Sequence, residues 1–298
     1  MTLSQLKKVY PWIGVTTTLE RYIDPIYYDN ILKAYVFDGE DDLSFLKNYL
    51  KQIPDHAEVL ELGSGTGRST NVALETAKHI RSLTLVDLSK RMLDWCKKNY
   101  HDRKNVRYVN SDTIDFFLNT NNEFDSVYSL WAFSHTVHQN LKTLGLINGK
   151  NKVRSGIRKF LTKNLRLGGS FFLIHFDSLS EEQRISIRQR KVDNFIFSEN
   201  REQSLSKRII DELLGELSQE GLIRYTSKRY IGSPIQFSSL NEALEYYCNF
   251  HMESHFNKLG TIEKVINGLN KDLRKYQDRK GVIRIKPGCF IYEIQRIK

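Results

Sequence analysis

Cysteine is scarce in this sequence, and long apolar runs are missing from it. The three cysteines, Cys96, Cys248 and Cys289, are scattered and form no C-x-x-C pair, so neither a disulfide framework nor a zinc site is predicted. No stretch reaches the roughly 18 consecutive apolar residues that a membrane-spanning helix needs. The first residues also lack the uninterrupted apolar segment of a secretory signal. We therefore expect a cytoplasmic protein with reduced thiols and no membrane partner.

The balance of residue types is that of a globular protein with a large core. Hydrophobic residues make up 40% and charged residues 27% of the 298 residues, with a mean hydropathy of −0.46. This length favours one core that carries sizeable insertions over two complete domains.

The chain is basic, with a net charge of +10 and a pI near 9.3. An acidic partner such as a nucleic acid would explain that charge. Many of the cations, however, lie in the segment GKNKVRSGIRKFLTKNLR, where apolar residues recur at helical spacing and the cations fall elsewhere on the helix. Phe160 is the only aromatic residue in this segment, and the spacing assigns it to the buried face. The pattern favours a solvated helix face, with weak and salt-sensitive attraction of polyanions, over a nucleic-acid site.

Short apolar runs alternate with segments long enough for helices. Runs rich in Val, Leu, Ile, Tyr and Phe predict strands at AEVLELG, SLTLVDL, VRYVNSD, FDSVYSL and GGSFFLIHF, with two more at IRYTSKRYIG and GCFIYEIQRI. This alternation predicts an α/β fold with a doubly wound, mostly parallel seven-stranded sheet. Helical insertions are expected after the fifth strand and before the last one.

Amphipathic spacing predicts helices between these strands. One helix is expected to end near Pro54, and another to begin after Ser89, a predicted N-cap, with Met92, Trp95 and Cys96 on one face. The segment LSKRIIDELLGELSQEGL and two segments before the last strand also have helical periods.

Three glycines follow the first predicted strand, in VLELGSGTGRST. Gly63, Gly65 and Gly67 would let the backbone lie close to a ligand at the carboxyl edge of the sheet. The stretch does not fit a phosphate-binding P-loop, because no lysine follows Gly67. It does not fit a dinucleotide fingerprint either, because Arg68 occupies the position of the third glycine. What remains is the pattern E-x-G-x-G-x-G, which begins at Glu61.

This pattern resembles the first motif of the class I S-adenosylmethionine-dependent methyltransferases. Four further stretches resemble later motifs of that family, in the family's order: LTLVDLS, VRYVNSD, FDSVYSLWAF and LRLGGSFFLIHF. Together the motifs cover about residues 55 to 180. The resemblance implies the Rossmann-like fold of the family, methyl transfer as the activity and S-adenosyl-L-methionine as the cofactor.

The resemblance also assigns cofactor contacts, besides the three glycines, to residues at the strand ends. Glu61 would complement the ammonium group of the cofactor, and Ser64 lies within the glycine turn. Asp87, followed by Leu88, ends the second strand, where a carboxylate can accept both ribose hydroxyls. Asp87 has an alternative role as a cap for the helix that follows. The other implied cofactor contacts are Ser111, Asp112 (toward the adenine amino group) and Ser129.

The methyl acceptor is expected at the same edge of the sheet. Transfer to a hydroxyl or to a weakly acidic carbon requires a general base, for which His135 is the candidate, although a packing role for it stays open. Tyr22, Trp131, His138 and His175 are candidate substrate contacts. A metal site formed by the three histidines is not predicted, because spacing fixes no carboxylate partner for them.

Four segments define the expected domain organisation. Residues 1–54 are predicted to form a helical and aromatic N-terminal lid, and residues 55–298 the cofactor-binding domain, with substrate-side insertions near 177–204 and 233–281. The aromatic residues of the lid would either face the sulfonium cation or pack the extension onto the core. The helices of the last insertion would either line a substrate pocket or form the face of a homodimer, so the oligomeric state stays open.

Three functional classes fit these motifs. A methyltransferase acting on an O, N or C atom of a small molecule is favoured, because the insertions flank the expected site on both sides. An RNA or protein methyltransferase is the alternative, but the fourth strand is followed neither by the [DNS]-P-P-[YFW] tetrapeptide of amino-methylating enzymes nor by a Pro-Cys nucleophile. A non-catalytic, cofactor-binding regulatory protein is the third interpretation, against which the intact cofactor motifs argue.

Overall fold

Helices and strands alternate through most of the chain. A computed structural model describes residues 2–14, 32–190, 204–251 and 259–298. The α-helices are α1 (Leu3–Val9), α2 (Asp42–Leu50), α3 (Arg68–Thr76), α4 (Lys90–Asn99), α5 (Thr113–Asn119), α6 (Phe133–Leu144), α7 (Leu146–Lys159), α8 (Glu181–Arg190), α9 (Leu205–Gln219), α10 (Leu240–Tyr246) and α11 (Leu259–Leu273). The strands are β1 (Val36–Phe37), β2 (Glu40–Asp41), β3 (Glu58–Leu62), β4 (Ser82–Asp87), β5 (Val106–Asn110), β6 (Phe124–Leu130), β7 (Leu165–Phe176), β8 (Ile223–Ile231), β9 (Ile235–Phe237), β10 (Ile283–Ile285) and β11 (Gly288–Arg296).

Seven of these strands form one sheet in the order β5-β4-β3-β6-β7-β11-β8. The strands from β5 to β7 pair in parallel, and β11 pairs with β7 in the antiparallel sense. The predicted fold class is therefore confirmed. After β3 the chain builds the sheet in one direction through β4 and β5, and it then returns to add β6 on the other side of β3. Ligands of such sheets bind at the carboxyl ends of the strands beside this switch point, where the glycine turn follows β3.

The central strands are buried on both faces, as their continuous apolar runs predict. Leu60, Leu85 and Val127 have no exposed surface, which is typical of parallel strands that helices cover on both sides. The predicted N-cap of α4 is confirmed, because the Ser89 hydroxyl accepts a hydrogen bond from the Met92 N–H. On the predicted face of α4, Met92 and Cys96 are buried, whereas Trp95 is 40% exposed.

The chain divides into two compact units. The sheet unit consists of Glu40–Phe176, Gln203–Tyr230 and Cys289–Lys298. The helical unit consists of Met1–Gly39, Asp177–Glu202 and Ile231–Gly288. Within the helical unit, α11 packs against α8 and α10, and β9 and β10 form an antiparallel pair. None of the helices in the described parts of the chain is long and apolar enough to span a membrane.

Helix α8 is an element that hydrophobic periodicity does not predict. Residues 177–204 show no clear period in the sequence, yet α8 occupies Glu181–Arg190. The side chains that α8 buries are largely polar, among them Glu182, Gln183 and Ser186. A helix that buries polar residues carries little hydrophobic signal, and for this reason the pattern fails there.

Candidate functional site

The turn between β3 and α3 holds its three glycines in the left-handed backbone region. The φ angle is +75° at Gly63, +52° at Gly65 and +85° at Gly67, and residues with side chains are strained in this region. A Cβ atom at Gly63 would lie 2.1 Å from the Cβ of Ala132, and one at Gly67 would lie 2.6 Å from the Tyr100 hydroxyl. No atom lies within 4 Å of the corresponding position at Gly65. Packing therefore requires two of the glycines, and the third leaves open space beside the backbone.

Asp87 joins this turn to the carboxyl end of β4. Its Oδ2 accepts the Gly65 N–H at 2.8 Å, and its Oδ1 accepts the Ser89 N–H at 2.8 Å. Burial raises the pKa of Asp87, and these two backbone hydrogen bonds oppose that rise. Each carboxylate oxygen keeps a further acceptor position. The Ser89 hydroxyl caps α4, and Asp87 contacts the same helix start through the Ser89 N–H, so both the capping role and the ribose contact of Asp87 stay predictions. The adjacent Leu88 is 47% exposed and adds apolar surface at the same strand end.

Glu61 is the carboxylate of the first motif, and it lies inside the protein with 1% of its surface exposed. It accepts hydrogen bonds from the hydroxyls of Ser69, Thr70 (2.6 Å) and Tyr128 (2.7 Å). Burial raises the pKa of Glu61 to about 7, although the three hydroxyls lower it. The predicted contact between Glu61 and the ammonium group of the cofactor stays a prediction. The Glu61 carboxylate is occupied by side chains that connect the start of α3 to β3 and β6.

Asp112 caps helix α5. Its Oδ1 accepts the Ile114 N–H at 2.9 Å and the Asn140 amide at 3.0 Å, and its Oδ2 accepts the Thr136 hydroxyl at 2.6 Å. The Ser111 hydroxyl donates to the backbone carbonyl of Asp112 at 2.9 Å. The structure thus gives Asp112 a role in holding α6 against α5, and its contact with an adenine group stays a prediction.

Ser129 lies inside the sheet. The residue has no exposed surface, and its hydroxyl donates to the Leu62 carbonyl at 2.9 Å. Its hydroxyl therefore joins β6 to β3 within the sheet, and its contact with the cofactor stays a prediction.

The family of the chain follows from this geometry and from its match to known proteins. Residues 59–146, which run from the glycine turn to α7, match the family model described as a methyltransferase domain. The mostly parallel seven-stranded sheet and the carboxylate of Asp87 at the end of β4 agree with what the resemblance to the class I type implies. The chain carries a class I S-adenosylmethionine-dependent methyltransferase domain.

Several solved structures are similar to this chain, and the first named here, with a TM-score above 0.5, supports the fold. The YcgJ protein from Bacillus subtilis is 16% identical with a TM-score of 0.53, over 86% of this chain and 98% of that one. A putative methyltransferase from Bacillus halodurans is 16% identical with a TM-score of 0.49, over 86% and 99% of the two chains. A phosphoethanolamine N-methyltransferase from Haemonchus contortus, solved with S-adenosylhomocysteine, is 18% identical with a TM-score of 0.48, over 91% and 57%. No curated protein matches the chain.

The residues of the glycine turn fit S-adenosylmethionine. The Ser64 hydroxyl is buried and, among the described residues, has no hydrogen-bond partner, so a polar ligand group at the turn would satisfy it. Gly65 offers open space, and Asp87 offers acceptor positions for ribose hydroxyls beside the exposed Leu88. When it is bound, the cofactor supplies an electrophilic methyl group on a sulfonium. The task of the methyltransferase is then to hold that methyl group and the acceptor in line and to exclude water.

Aromatic side chains lie where β6 and β7 end. The Trp131 ring centroid is 4.7 Å from that of Phe176, and the His135 ring meets the same phenylalanine edge-on at 6.3 Å. His135 is exposed in the first turn of α6, so it stays the candidate base. Trp131 is only 1% exposed, because its indole N–H donates to the buried Asp42 at 2.6 Å. The predicted substrate contact of Trp131 stays a prediction, and the partly exposed Phe176, which sequence analysis missed, is a further aromatic residue at this edge.

The other residues predicted to contact the methyl acceptor differ in exposure and in hydrogen-bond partners. His138 is half-buried one turn beyond His135 on α6 and stays a prediction. His175 is 2% exposed, its Nδ1 donates to the Phe176 carbonyl at 2.8 Å, and its Nε2 lies 3.1 Å from the Ser206 hydroxyl. Both ring nitrogens have partners inside the protein, and the expected substrate contact of His175 stays a prediction. Tyr22 lies outside the described residues. Within the described residues, no group of three or more His, Cys, Asp or Glu side chains is arranged to hold a metal ion.

Proposed function

We propose that this methyltransferase acts on a small-molecule acceptor and transfers the methyl group to an O, N or C atom by in-line displacement. The observation that supports this choice over a polyanionic acceptor is the pairing of the basic helix α7. Its cations lie opposite carboxylates at the same spacing on helix α9 and on the C-cap residue of that helix. The pairs are Lys150 with Glu212 (2.8 Å), Arg154 with Glu216, and Arg158 with Glu220 (2.9 Å).

Further cations of the same basic segment also contact acceptors within the sheet unit. Lys152 pairs with Asp115 at 2.5 Å, and Arg166 pairs with Asp125 at 2.7 Å. The Lys159 ammonium donates to backbone carbonyls at the end of α5, at distances from 2.8 to 3.2 Å. A nucleic acid would have to compete with these acceptors, so the positive charge of α7 is poor support for a nucleic-acid partner.

His135 is the general base of this proposal for a hydroxyl acceptor. It is exposed at the carboxyl end of β6, and Phe176 orients its ring from one side. A base positioned in this way accelerates proton removal by about 10²- to 10⁴-fold, whereas an amine acceptor that is already unprotonated gains little. The loss of activity in His135→Gln would therefore distinguish acceptor chemistries once an acceptor is known.

The acceptor class is tested by transfer of a labelled methyl group. The purified protein is incubated with labelled S-adenosylmethionine and, in parallel, with total RNA, with total protein and with a fraction of small metabolites, at near-physiological salt. We expect label in the metabolite fraction alone, together with RNA binding that weakens steeply as the salt concentration rises. An Asp87→Ala variant, which lacks the expected ribose acceptor, is the matched control for enzyme-dependent labelling.

Stoichiometric label in one RNA or protein species would overturn the small-molecule acceptor. Absence of label in every fraction, combined with normal binding of S-adenosylhomocysteine, would instead favour a non-catalytic regulatory protein. Binding of S-adenosylhomocysteine is measured by calorimetry on the same preparation.

A further inference from the structure

Asp42 is a buried carboxylate that lies outside the family motifs. It occupies the first turn of α2 and has no exposed surface. The N-cap of this helix is the preceding Asp41, whose Oδ1 accepts the Ser44 N–H at 2.7 Å. Since the cap function belongs to Asp41, the burial of a second carboxylate at this position needs another explanation.

Three N–H groups from two other parts of the sheet unit converge on Asp42. Arg68 donates from Nη1 to Oδ1 at 3.0 Å and from Nη2 to Oδ2. Trp131 donates from Nε1 to Oδ2 at 2.6 Å. The Arg68 side chain is itself only 13% exposed, so the pair is largely withdrawn from water. A buried ion pair is weak support for stability, because desolvation offsets its attraction.

Both partners of Asp42 lie next to structure that forms the cofactor site. Arg68 adjoins the glycine turn, and Trp131 adjoins the segment that packs on this turn. Arg68 follows Gly67 and begins α3. Trp131 follows β6 with φ at +65°, a left-handed conformation that is strained for a tryptophan and persists only where surrounding contacts enforce it. The next residue, Ala132, is the one that packs against Gly63. The Asp42 carboxylate therefore contacts the residue that follows the glycine turn and the residue that follows β6.

We propose that Asp42 is a positioning residue for the cofactor-binding turn. By holding Arg68 and the Trp131 indole, it fixes Ala132 against Gly63 and so sets the width of the turn that receives S-adenosylmethionine. This inference rests on cofactor binding by the glycine turn and is independent of the identity of the methyl acceptor.

The test compares two Asp→Asn variants of the sheet unit. Asp42→Asn keeps the size of the side chain but places an amide against the Arg68 guanidinium. Asp125→Asn is the matched control, because Asp125 also accepts from an arginine (Arg166 Nη1, 2.7 Å) and from a backbone N–H (Glu58, 2.8 Å). Asp125 lies at the start of β6, at the opposite edge of the sheet from the cofactor turn.

Calorimetric titration with S-adenosylhomocysteine measures the effect without any acceptor. We expect Asp42→Asn to weaken binding by about tenfold or more, as for loss of hydrogen bonds to a charged group. Asp125→Asn should stay within about twofold of the parent protein, even where both variants lose thermal stability. Trp131→Phe, which removes one donor and keeps an aromatic ring, should weaken binding in the same direction by a smaller factor.

Fluorescence gives a readout that a general loss of stability would not produce. The chain has three tryptophans, so Trp131 is the only one left in a Trp12→Phe, Trp95→Phe background. Its emission should shift in Asp42→Asn and not in Asp125→Asn. If Asp42→Asn fails to fold, Trp131→Phe and Arg68→Lys carry the binding test, and Arg68→Lys carries the fluorescence test.

Two results would overturn the proposal. Asp42→Asn or Trp131→Phe that binds S-adenosylhomocysteine as tightly as the parent protein would show that the contact does not position the turn. Equal weakening by Asp125→Asn would show a general effect of lost stability. A parent protein that binds no S-adenosylhomocysteine would overturn the cofactor assignment itself, which is a different and distinguishable failure.

Discussion

Glu61 and Asp87 lie near the carboxyl ends of neighbouring strands of the same sheet, and burial raises the pKa of both. Their partners differ in kind. Glu61 accepts from side-chain hydroxyls that fill its surroundings, whereas Asp87 accepts from two backbone N–H groups and keeps acceptor positions free for a ligand. At the scale of single residues, the first carboxylate stabilises the turn from inside, and the second is available to the cofactor.

The raised pKa of Glu61 predicts a specific dependence of stability on pH. Its pKa is about 7 in the folded protein against an ordinary value of 4.5, so the folded state binds the proton more tightly than the unfolded state. The contribution of Glu61 to the free energy of unfolding is therefore fully present below pH 4.5 and is lost as pH rises through about 7. The shift corresponds to a loss of at most about 3 kcal/mol.

Denaturant unfolding at a series of pH values from 4.5 to 8 checks this prediction. The Glu61→Gln variant, which cannot titrate and keeps a side-chain acceptor, should lose less stability over this range than the parent protein does. Glu58→Gln removes a carboxylate from the same strand, β3, and serves as the control. Parallel pH curves for Glu61→Gln and the parent protein would contradict the assignment of this titration to Glu61.

The elements of the fold were predictable to the extent that burial follows apolar periodicity. The five parallel strands and α9 are predicted from their apolar residues and are observed. Helix α8 is not, because residues such as Gln183 and Ser186 make up much of its buried side. The glycine turn was likewise predictable from sequence, since its spacing is local. The contact between Asp42 and Trp131 was not, because it joins residues 89 positions apart and leaves no periodic signal.

The pairing of α7 with α9 predicts a salt-dependent stability effect at the scale of elements. The three pairs keep the same separation of 62 residues, so the helices run in the same direction with their charges in register. Arg154→Glu should destabilise the protein by placing like charges opposite one another, and Glu216→Arg added to it should restore stability. The coupling energy of one such exposed pair is about 0.2 to 1 kcal/mol and should shrink at high salt.

A double-mutant cycle measured by denaturant unfolding at low and high salt gives this coupling energy directly. The control is Lys97→Glu, a change of the same sign on α4, where the partner carboxylate of Asp94 lies 3.7 Å away on the same helix. A Glu216→Arg substitution that restores Lys97→Glu as well as it restores Arg154→Glu would show that only net charge matters.

At the scale of the whole molecule, the helical unit is assembled from three segments that are far apart in the sequence. Its N-terminal segment contributes core residues, because Leu6 and Ile13 are almost fully buried. Trp12 is also buried, and its indole N–H donates to the Asn241 side chain at 3.3 Å. The predicted role of residues 1–54 as a lid stays a prediction, and a deletion within the N-terminal segment tests it.

Deletion of residues 1–30 should lower the thermal midpoint and abolish methyl transfer to the acceptor found by the labelling screen. The stability loss is expected because the deletion removes Leu6 and Ile13 from the core of the helical unit, and truncation of one such buried aliphatic residue alone costs about 2 to 5 kcal/mol.

Ile13→Ala is the control, since it weakens the same core and leaves the segment in place. If the segment is needed for turnover itself, Ile13→Ala should lower the midpoint while keeping most of the activity at a temperature where both proteins are folded. A truncated protein with full turnover would contradict the lid, and equal losses of activity in both variants would assign the segment a purely structural role.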